Sequence, residues 1–267
     1  MSDVIGFILV FSFISLTVGV VSITGFTGLE DRQDVEQVNN AERAFEILAD
    51  NIEDIERRGA PRRSTEIGLA GAQLSSAETT KVEVTVLDST TSPPTRLSTN
   101  VKILNPIRYS APDGTTLVYE NGAVIREDPN GGAVMKREPK LVFSDRGPAG
   151  TTIDTAILPI VPTSKAMSIG GETTALIRTR SGGSTVLDRY AAPSKTYEAK
   201  LTITTSPERA AIWWRHLNEE IETGLGVADA CGATPPTGGT VVCDADGDGF
   251  SVDQVSITST RIDVEFA

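Results

Sequence analysis

The sequence predicts an α+β fold: a long N-terminal helix, hydrophobic and then amphipathic, followed by an antiparallel, sandwich-like β-rich domain that contains one further helix. An uncharged run from Val4 to Leu29 leads directly into a heptad stripe of apolar residues, which is the pattern of one long helix. Beyond Pro61 apolar and polar residues alternate, as in half-buried strands, and one capped amphipathic segment interrupts the alternation. We therefore expect a helical domain over residues 1–58 and an exported β-rich domain over residues 62–267.

The uncharged run is long enough to cross a bilayer. Its 26 residues make a helix of about 39 Å at about 1.5 Å per residue, against a hydrocarbon core of roughly 30 Å. A cleavable secretory signal is disfavoured, because it would have a basic start and an apolar stretch of about 7 to 15 residues, whereas this chain has Asp3. A plain membrane anchor and an assembly helix of a surface filament both stay open. Small residues in the run, which include Gly6 and Gly19, would allow helices to pack closely, although a lone anchor tolerates glycine too.

The heptad stripe extends the same helix as far as about Arg58, where Gly59 and Pro61 end it. Apolar residues recur at spacings of three and four, at Val38, Ala41, Phe45, Leu48, Ile52 and Ile55. One interpretation is a helix that assembles with other copies; the alternative is a stalk that lies on its own globular domain. For the first, we predict contacts at Val4, Ile5, Phe7, Ile8, Phe11, Val38, Phe45, Leu48, Ile52 and Ile55.

The body of the chain reads as antiparallel strands joined by turns. Alternation is clearest at Lys81–Asp88, Thr116–Asp128, Ala199–Thr205 and Gln254–Phe266. Asn121-Gly122 predicts a two-residue hairpin, because both positions tolerate positive φ. Arg180–Ser184, with its two glycines, predicts a second turn.

One helix is expected at about 207–224. Ser206 is a suitable N-cap, Pro207 fits the first helical position, and Gly224 to Gly226 ends the segment. The predicted core face is Ala210, Trp213 or Trp214, Leu217 and Ile221. Neighbouring tryptophans cannot both point inward, so one of the two should lie at a rim or an interface.

Charge and composition exclude several classes of function. The chain has 24 Lys and Arg against 36 Asp and Glu, for a net charge of -12. Such a surface repels phosphates, so nucleic acid is not expected as a partner. It suits concentrated salt, where screening removes self-repulsion, and thus favours a halophilic source. His216 is the only histidine and no G-x-S-x-G turn occurs, so we expect no enzyme of the triad type and no zinc site.

The C-terminal quarter contains two further candidate features. Cys231 and Cys243, the only cysteines, could form a disulfide outside the cell or remain free thiols. The acidic loop 244–253 resembles the first half of a calcium loop, with candidate ligands at Asp244, Asp246, Asp248 and Asp253. Val255 stands where the loop needs its bidentate carboxylate, so the alternatives are a weaker Ca²⁺-stabilised turn and an acidic loop without an ion.

The stretches "SDVIGFILVFSFISLTVGVV", "GLEDRQDVEQVNNAERAFEILADNIEDI" and "RGAP" resemble the N-terminal portion of haloarchaeal type IV pilin-like surface proteins. The likeness covers residues 2–66; beyond them only the order of strands, tryptophan-bearing helix and final strand is similar. Those families have a short class III signal, an S-x-V-I-G start to the apolar helix and a variable β-rich domain behind it.

The resemblance implies a major or minor subunit of an archaeal type IV pilus-like filament. Its N-terminal helix would lie in membrane lipid before assembly and then bundle with copies of itself or with other pilins. It also implies processing by a prepilin peptidase, use of the pilus assembly machinery and an extracellular β-rich domain with a role such as adhesion. The alternative function is a membrane-anchored cell-surface binding module that does not polymerise.

Overall fold

The computed structural model describes the backbone of residues 2–146, 152–244 and 249–267, and the side chains of these residues except 2–4 and 22–34. The α+β class with a β-rich domain is confirmed. The chain forms two compact units, Met1–Asn40 and Ala41–Ala267. We predicted a division between residues 58 and 62; the compact units instead divide within the first helix.

The first helix, α1, runs from Ser2 to Arg58 over 57 residues, so the prediction of one helix that continues to Arg58 is confirmed. Arg57 and Arg58 lie in its last turn, where positive charge interacts favourably with the helix dipole. Gly59 follows with φ of 69°, the left-handed conformation that commonly ends helices. The turns of α1 from Ala41 onward belong to the β-rich unit.

Strands make up most of this unit. In chain order they are β1 (Arg62–Gly68), β2 (Gln73–Ser75), β3 (Thr80–Asp88), β4 (Thr95–Leu104), β5 (Ile107–Ser110), β6 (Thr116–Glu120), β7 (Ala123–Glu127), β8 (Ala133–Arg137), β9 (Val142–Arg146), β10 (Thr152–Ile160), β11 (Ile169–Gly170), β12 (Thr174–Tyr190), β13 (Tyr197–Thr204), β14 (Thr240–Cys243), β15 (Phe250–Val252) and β16 (Gln254–Phe266).

The strands form three sheets, not the two of a simple sandwich. The first has the order β1-β12-β16-β10-β9, the second β11-β2-β5-β6-β7-β8, and the third β14-β13-β3-β4 with β15 also paired to β13. The expectation of purely antiparallel pairing is wrong at one place, because β10 and β16 run parallel. A parallel pair needs a long crossover, and here the chain between the two strands includes the second helix.

One predicted turn is confirmed and the other is wrong. Asn121 and Gly122 join β6 to β7 with φ of 48° and 88°, as a two-residue hairpin requires. Residues 180–184 do not turn; β12 continues through them with a shift in its register to β16 between Ser181 and Ser184. A Cβ on Gly182 would lie 2.9 Å from Cγ of Arg261, so the glycines here mark a bulge within a long strand.

The second helix, α2, spans Pro207–Leu225 and confirms the predicted caps: the Ser206 hydroxyl accepts a hydrogen bond from the Arg209 amide, and Gly226 ends the helix with φ of 70°. Trp213 is fully buried, whereas the indole of Trp214 donates to the Gly232 carbonyl at 2.8 Å. A Cβ on Gly224 would lie 2.3 Å from the Phe143 carbonyl oxygen, so glycine allows α2 to pack closely against β9. The buried face of α2 joins a core cluster with residues of all three sheets, among them Val84, Ile125, Leu158, Leu201 and Ile257.

Candidate functional site

The first candidate surface is the part of α1 from residue 5 to residue 21, which we call the apolar segment. Every residue in it is exposed. Consecutive residues are turned by about 100° around a helix of 3.6 residues per turn, so apolar side chains face outward on all sides. The large ones, each between 54% and 72% exposed, are Ile5, Phe7, Ile8, Leu9, Val10, Phe11, Phe13, Ile14, Leu16, Val18, Val20 and Val21. Contiguous exposed apolar surfaces of this kind are rare on soluble monomers and mark sites of contact with proteins or membranes, which makes the apolar segment a candidate contact surface.

Details of the apolar segment fit an apolar environment. The hydroxyl of Thr17 donates to the carbonyl oxygens of Phe13 and Ile14 at 2.7 and 3.0 Å, so the helix itself satisfies this polar group. The rings of Phe7 and Phe11 stack with centroids 6.3 Å apart. A Cβ on Gly6 or Gly19 would meet nothing within 4 Å, so packing within the chain does not require glycine at either position.

The second half of the predicted assembly stripe has a different role. Phe45, Leu48, Ile52 and Ile55 are at most 1% exposed, and the ring of Phe45 contacts Tyr109 edge-on at 6.4 Å. These four residues are core residues of the β-rich unit, which corrects our prediction that they contact another copy. Val38 is likewise buried, at 3% exposed. Of the predicted contacts, Ile5, Phe7, Ile8 and Phe11 lie on the exposed apolar segment, and the Val4 side chain lies outside the described residues.

Ion pairs hold the last turns of α1 to the strands. Arg137 on β8 contacts Asp50 and also Glu53, at 2.6 Å. Lys136 contacts Glu42 at 2.8 Å, and Arg63 on β1 contacts Asp54 at 2.9 Å. The hydrogen bond from Arg63 lowers the pKa of Asp54 below its ordinary value. Together with the buried stripe, these pairs make residues 41–58 an integral element of the β-rich unit.

A buried charged cluster, which we call the Arg209 cluster, lies where α2 meets the second and third sheets. The carboxylate of Glu120 is buried and accepts four hydrogen bonds. The donors are the hydroxyls of Thr80 at 2.6 Å and Thr205 at 2.8 Å, Nε of Arg209 at 3.0 Å and the indole of Trp213 at 2.6 Å. The other guanidinium nitrogens of Arg209 reach Glu127 at 3.0 Å and Glu78 at 2.8 Å. A buried carboxylate with this many donors is fully satisfied.

The pKa values in the Arg209 cluster follow from this arrangement. Burial by itself would lower the pKa of Arg209, but the carboxylates of Glu120, Glu127 and Glu78 raise it. Burial would raise the pKa of Glu78, but Arg209 and Arg108 lower it. The ion pairs of Arg209 thus tie α2 to β6, to β7 and to the segment before β3.

The cysteines and the acidic loop were also predicted features. Cys231 and Cys243 form a disulfide.

Two of the candidate calcium ligands in the acidic loop have partners within the chain. The Asp244 carboxylate accepts a hydrogen bond from Lys200 Nζ at 2.7 Å, and the Asp253 carboxylate accepts one from the Asp154 amide at 3.0 Å. Burial, and secondarily the charge of Asp253, raises the pKa of Asp154. Asp246 and Asp248 lie outside the described residues; within the remainder, no three His, Cys, Asp or Glu side chains group together as metal ligands would. Calcium binding at 244–253 stays a prediction.

Within the described part of the chain, no helix combines the length and the hydropathy needed to cross a membrane.

A family model matches residues 1–265 of the chain. The chain belongs to DUF7289, a family of unknown function. The DUF7289 match covers both α1 and the β-rich unit, so the apolar segment is part of the family pattern together with the strands. No curated protein and no solved structure matches the chain significantly.

Sequence reasoning on this DUF7289 chain missed the Arg209 cluster. One signal was present: Glu120 ends the apolar strand sequence Thr116–Glu120 immediately before the Asn121-Gly122 turn. Glu78 and Arg209, which pair within the same cluster, are 131 positions apart, so no local pattern could have joined them.

Proposed function

We propose that this chain is a structural subunit, major or minor, of a type IV pilus-like surface filament, and that it assembles through the apolar segment of α1. The observation that carries the proposal is the exposure of every side chain from residue 5 to residue 21 on a helix whose last turns are built into a folded β-rich unit. Copies of the same helix, packed side by side, would cover this surface. The resemblance of residues 2–66 to haloarchaeal type IV pilin-like proteins supports the same conclusion.

The glycines of the apolar segment favour packing between helices over simple contact with lipid. Glycine inside a helix costs roughly 1 kcal/mol relative to alanine, and neither Gly6 nor Gly19 is needed to avoid a clash within the chain. Small residues allow neighbouring helices to approach closely in apolar surroundings, whereas lipid tails gain nothing specific from them. We infer that other copies of the helix pack over these two positions.

The second candidate function is a membrane-anchored cell-surface binding module that does not polymerise. The uncharged sequence from Val4 to Leu29 suits lipid as well as a filament core, and in either case we propose that the helix lies in the membrane before any assembly. The β-rich unit would then be extracellular, consistent with the disulfide Cys231–Cys243, since such bonds persist in oxidising surroundings.

Electron microscopy of cells, combined with fractionation, tests the proposal and separates the two candidates. Cells that express the wild-type chain should carry surface filaments that are absent from a deletion strain. Gly19→Leu should abolish or shorten the filaments while the chain stays in the membrane fraction, because leucine blocks close helix packing but is accepted by lipid.

The matched control is Val18→Leu, which changes an adjacent exposed residue without removing a glycine. Its filaments should be like those of the wild type. Filaments that persist in the deletion strain, together with a wild-type chain that is recovered only in the membrane fraction, would exclude a major-subunit role. Wild-type filaments in the Gly19→Leu strain would refute packing through Gly19.

A further inference from the structure

The outward face of β1, β12 and β16 carries arginines in directly opposed positions. Arg62 on β1 lies opposite Arg180 on β12, and Ser64 lies opposite Arg178. On the other side of β12, Arg178 and Arg180 lie opposite Glu265 and Asp263. These six residues line a groove of about 320 Å³, which we call the arginine groove. It lies wholly within the β-rich unit.

The carboxylates in the arginine groove do not neutralise its opposed arginines. Asp263 accepts a hydrogen bond from Arg261 Nε at 3.0 Å, and Glu265 is 3.6 Å from Arg178. Arg62 and Arg180, which are both exposed, have no ion-pair partner within 4.0 Å in the described parts of the chain. Two guanidinium groups thus line the same groove without a direct ion-pair partner among the described residues, although the carboxylates of Asp263 and Glu265 line it as well.

This arrangement is costly and calls for an explanation. Like charges directly opposite one another on neighbouring strands destabilise a sheet. The chain has 36 acidic residues against 24 basic ones, so positive charge here is not needed to keep the surface soluble. An anion bound between Arg62 and Arg180 would convert their repulsion into attraction to a common ligand.

We propose that the arginine groove binds a dianionic oxyanion of the type that a phosphate monoester carries and that inorganic sulfate mimics. Opposed side chains start from Cβ atoms about 5 Å apart, and each planar guanidinium can donate two parallel hydrogen bonds to one oxyanion. Two negative charges match the two unpaired arginines. Ser64, next to Arg62 on the same face, supplies a neutral hydroxyl donor. A volume of about 320 Å³ lies at the lower end for small-molecule sites, so it has space for the group that carries the oxyanion, such as a sugar.

Thermal unfolding of the full chain in detergent tests whether the arginine groove binds an anion. The ionic strength is kept low and constant while chloride is replaced stepwise by inorganic sulfate or phosphate. A ligand that binds only the folded state raises the melting temperature. In chloride, Arg62→Gln and Arg180→Gln should be at least as stable as the wild type, because each removes the repulsion. In sulfate or phosphate the wild type should have a higher melting temperature than either variant. By isothermal titration, each variant should bind phosphate about tenfold more weakly or worse, as expected for the loss of charged hydrogen bonds.

The matched control is Arg189→Gln, which removes an exposed arginine from the same strand β12 outside the groove. It should respond to sulfate and phosphate as the wild type does. An equal rise in melting temperature for all four proteins would overturn the proposal, because it would be the general stabilising effect of these salts. Glucose 6-phosphate, tested beside inorganic phosphate, identifies the source of the oxyanion: tighter binding of the ester indicates a substituted ligand, and equal binding indicates the free ion.

Discussion

Arg209 is the residue on which the interior polar contacts of the β-rich unit depend. It is 2% exposed and balances carboxylates contributed by β6, β7 and the segment before β3. Burial of charges is costly by itself, so the Arg209 cluster stabilises the fold only because its buried charges are paired and hydrogen-bonded. Removal of Arg209 leaves the buried Glu120 without its cationic partner.

We therefore expect Arg209→Met to lower the free energy of unfolding by about 3–5 kcal/mol, since it leaves Glu120 buried and unpaired. Urea unfolding followed by circular dichroism measures the change. Arg215→Met, at an exposed position of the same helix, is the control and should change stability by less than about 0.5 kcal/mol. A similar loss in both variants would contradict the role of the Arg209 cluster.

His216 is a second residue whose surroundings make a prediction. It is 8% exposed, and its Nε2 atom has no hydrogen-bond partner in the described part of the chain. Burial lowers the pKa of His216 below its ordinary value of 6.5, while the nearby carboxylates of Glu220, Glu138 and Glu219 act in the opposite direction.

The unfolded chain therefore takes up a proton at His216 before the folded chain does, and stability should fall as the pH drops below about 6.5 towards the lower folded pKa. His216→Gln removes this contribution. Stability measured from pH 7.5 to 5 should have a smaller slope in the variant than in the wild type. Equal slopes would show that His216 keeps its ordinary pKa in the folded protein.

At the scale of elements, α1 combines two helices of different chemistry in one. Phe11 in the apolar segment is 62% exposed, whereas Phe45 in the buried stripe is fully buried. Phe45→Ala should cost about 3–5 kcal/mol of folding stability, because it leaves a cavity in the core. Phe11→Ala should leave the unfolding of the detergent-solubilised chain almost unchanged, yet weaken filament assembly. Unfolding curves and electron microscopy of the same two variants measure both effects. A large loss of stability in Phe11→Ala would contradict the assignment of different roles to the apolar segment and the buried stripe.

The disulfide element gives another test. Cys231 and Cys243 are 12 positions apart, and closing a loop of this length stabilises a protein by about 2–3 kcal/mol in the chain-entropy model. Replacing both with serine, or reducing the wild type, should lower stability by about that amount. A reducing agent should then have no effect on the double variant. A wild type that is insensitive to reduction would contradict a stabilising role.

Much of the fold could be predicted element by element because the signals are local. Ser206, Pro207 and Gly226 specify the ends of α2, and Asn121-Gly122 specifies the β6–β7 hairpin. The bulge at residues 181–184 was mistaken for a turn, since two glycines mark both; only the pairing of β12 with β16 distinguishes them. Other features join residues that are far apart in sequence: the parallel pairing of β10 with β16, the Arg209 cluster and the arginine groove. The local periodicity of apolar residues carries no information about such contacts.

For the whole molecule, the net charge of -12 opposes compaction through self-repulsion. Salt at 1 M reduces the Debye length to about 3 Å from about 10 Å at 0.1 M. We therefore expect the melting temperature to rise between about 0.1 and 1 M KCl. Differential scanning calorimetry measures this rise. A melting temperature that falls with salt would show that surface ion pairs, such as Arg261 with Asp263, outweigh the repulsion.

The continuation of α1 into the core of the β-rich unit has a mechanical consequence. The buried-stripe residues of α1 between positions 45 and 55 are packed inside the folded unit, so a tensile load on this part of the helix acts directly on the core. To detach the helix, a pulling force must shear Phe45, Leu48, Ile52 and Ile55 out of their contacts together and break the ion pairs at Asp50, Glu53 and Asp54. Extraction of this part of α1 would thus disrupt the core of the β-rich unit itself.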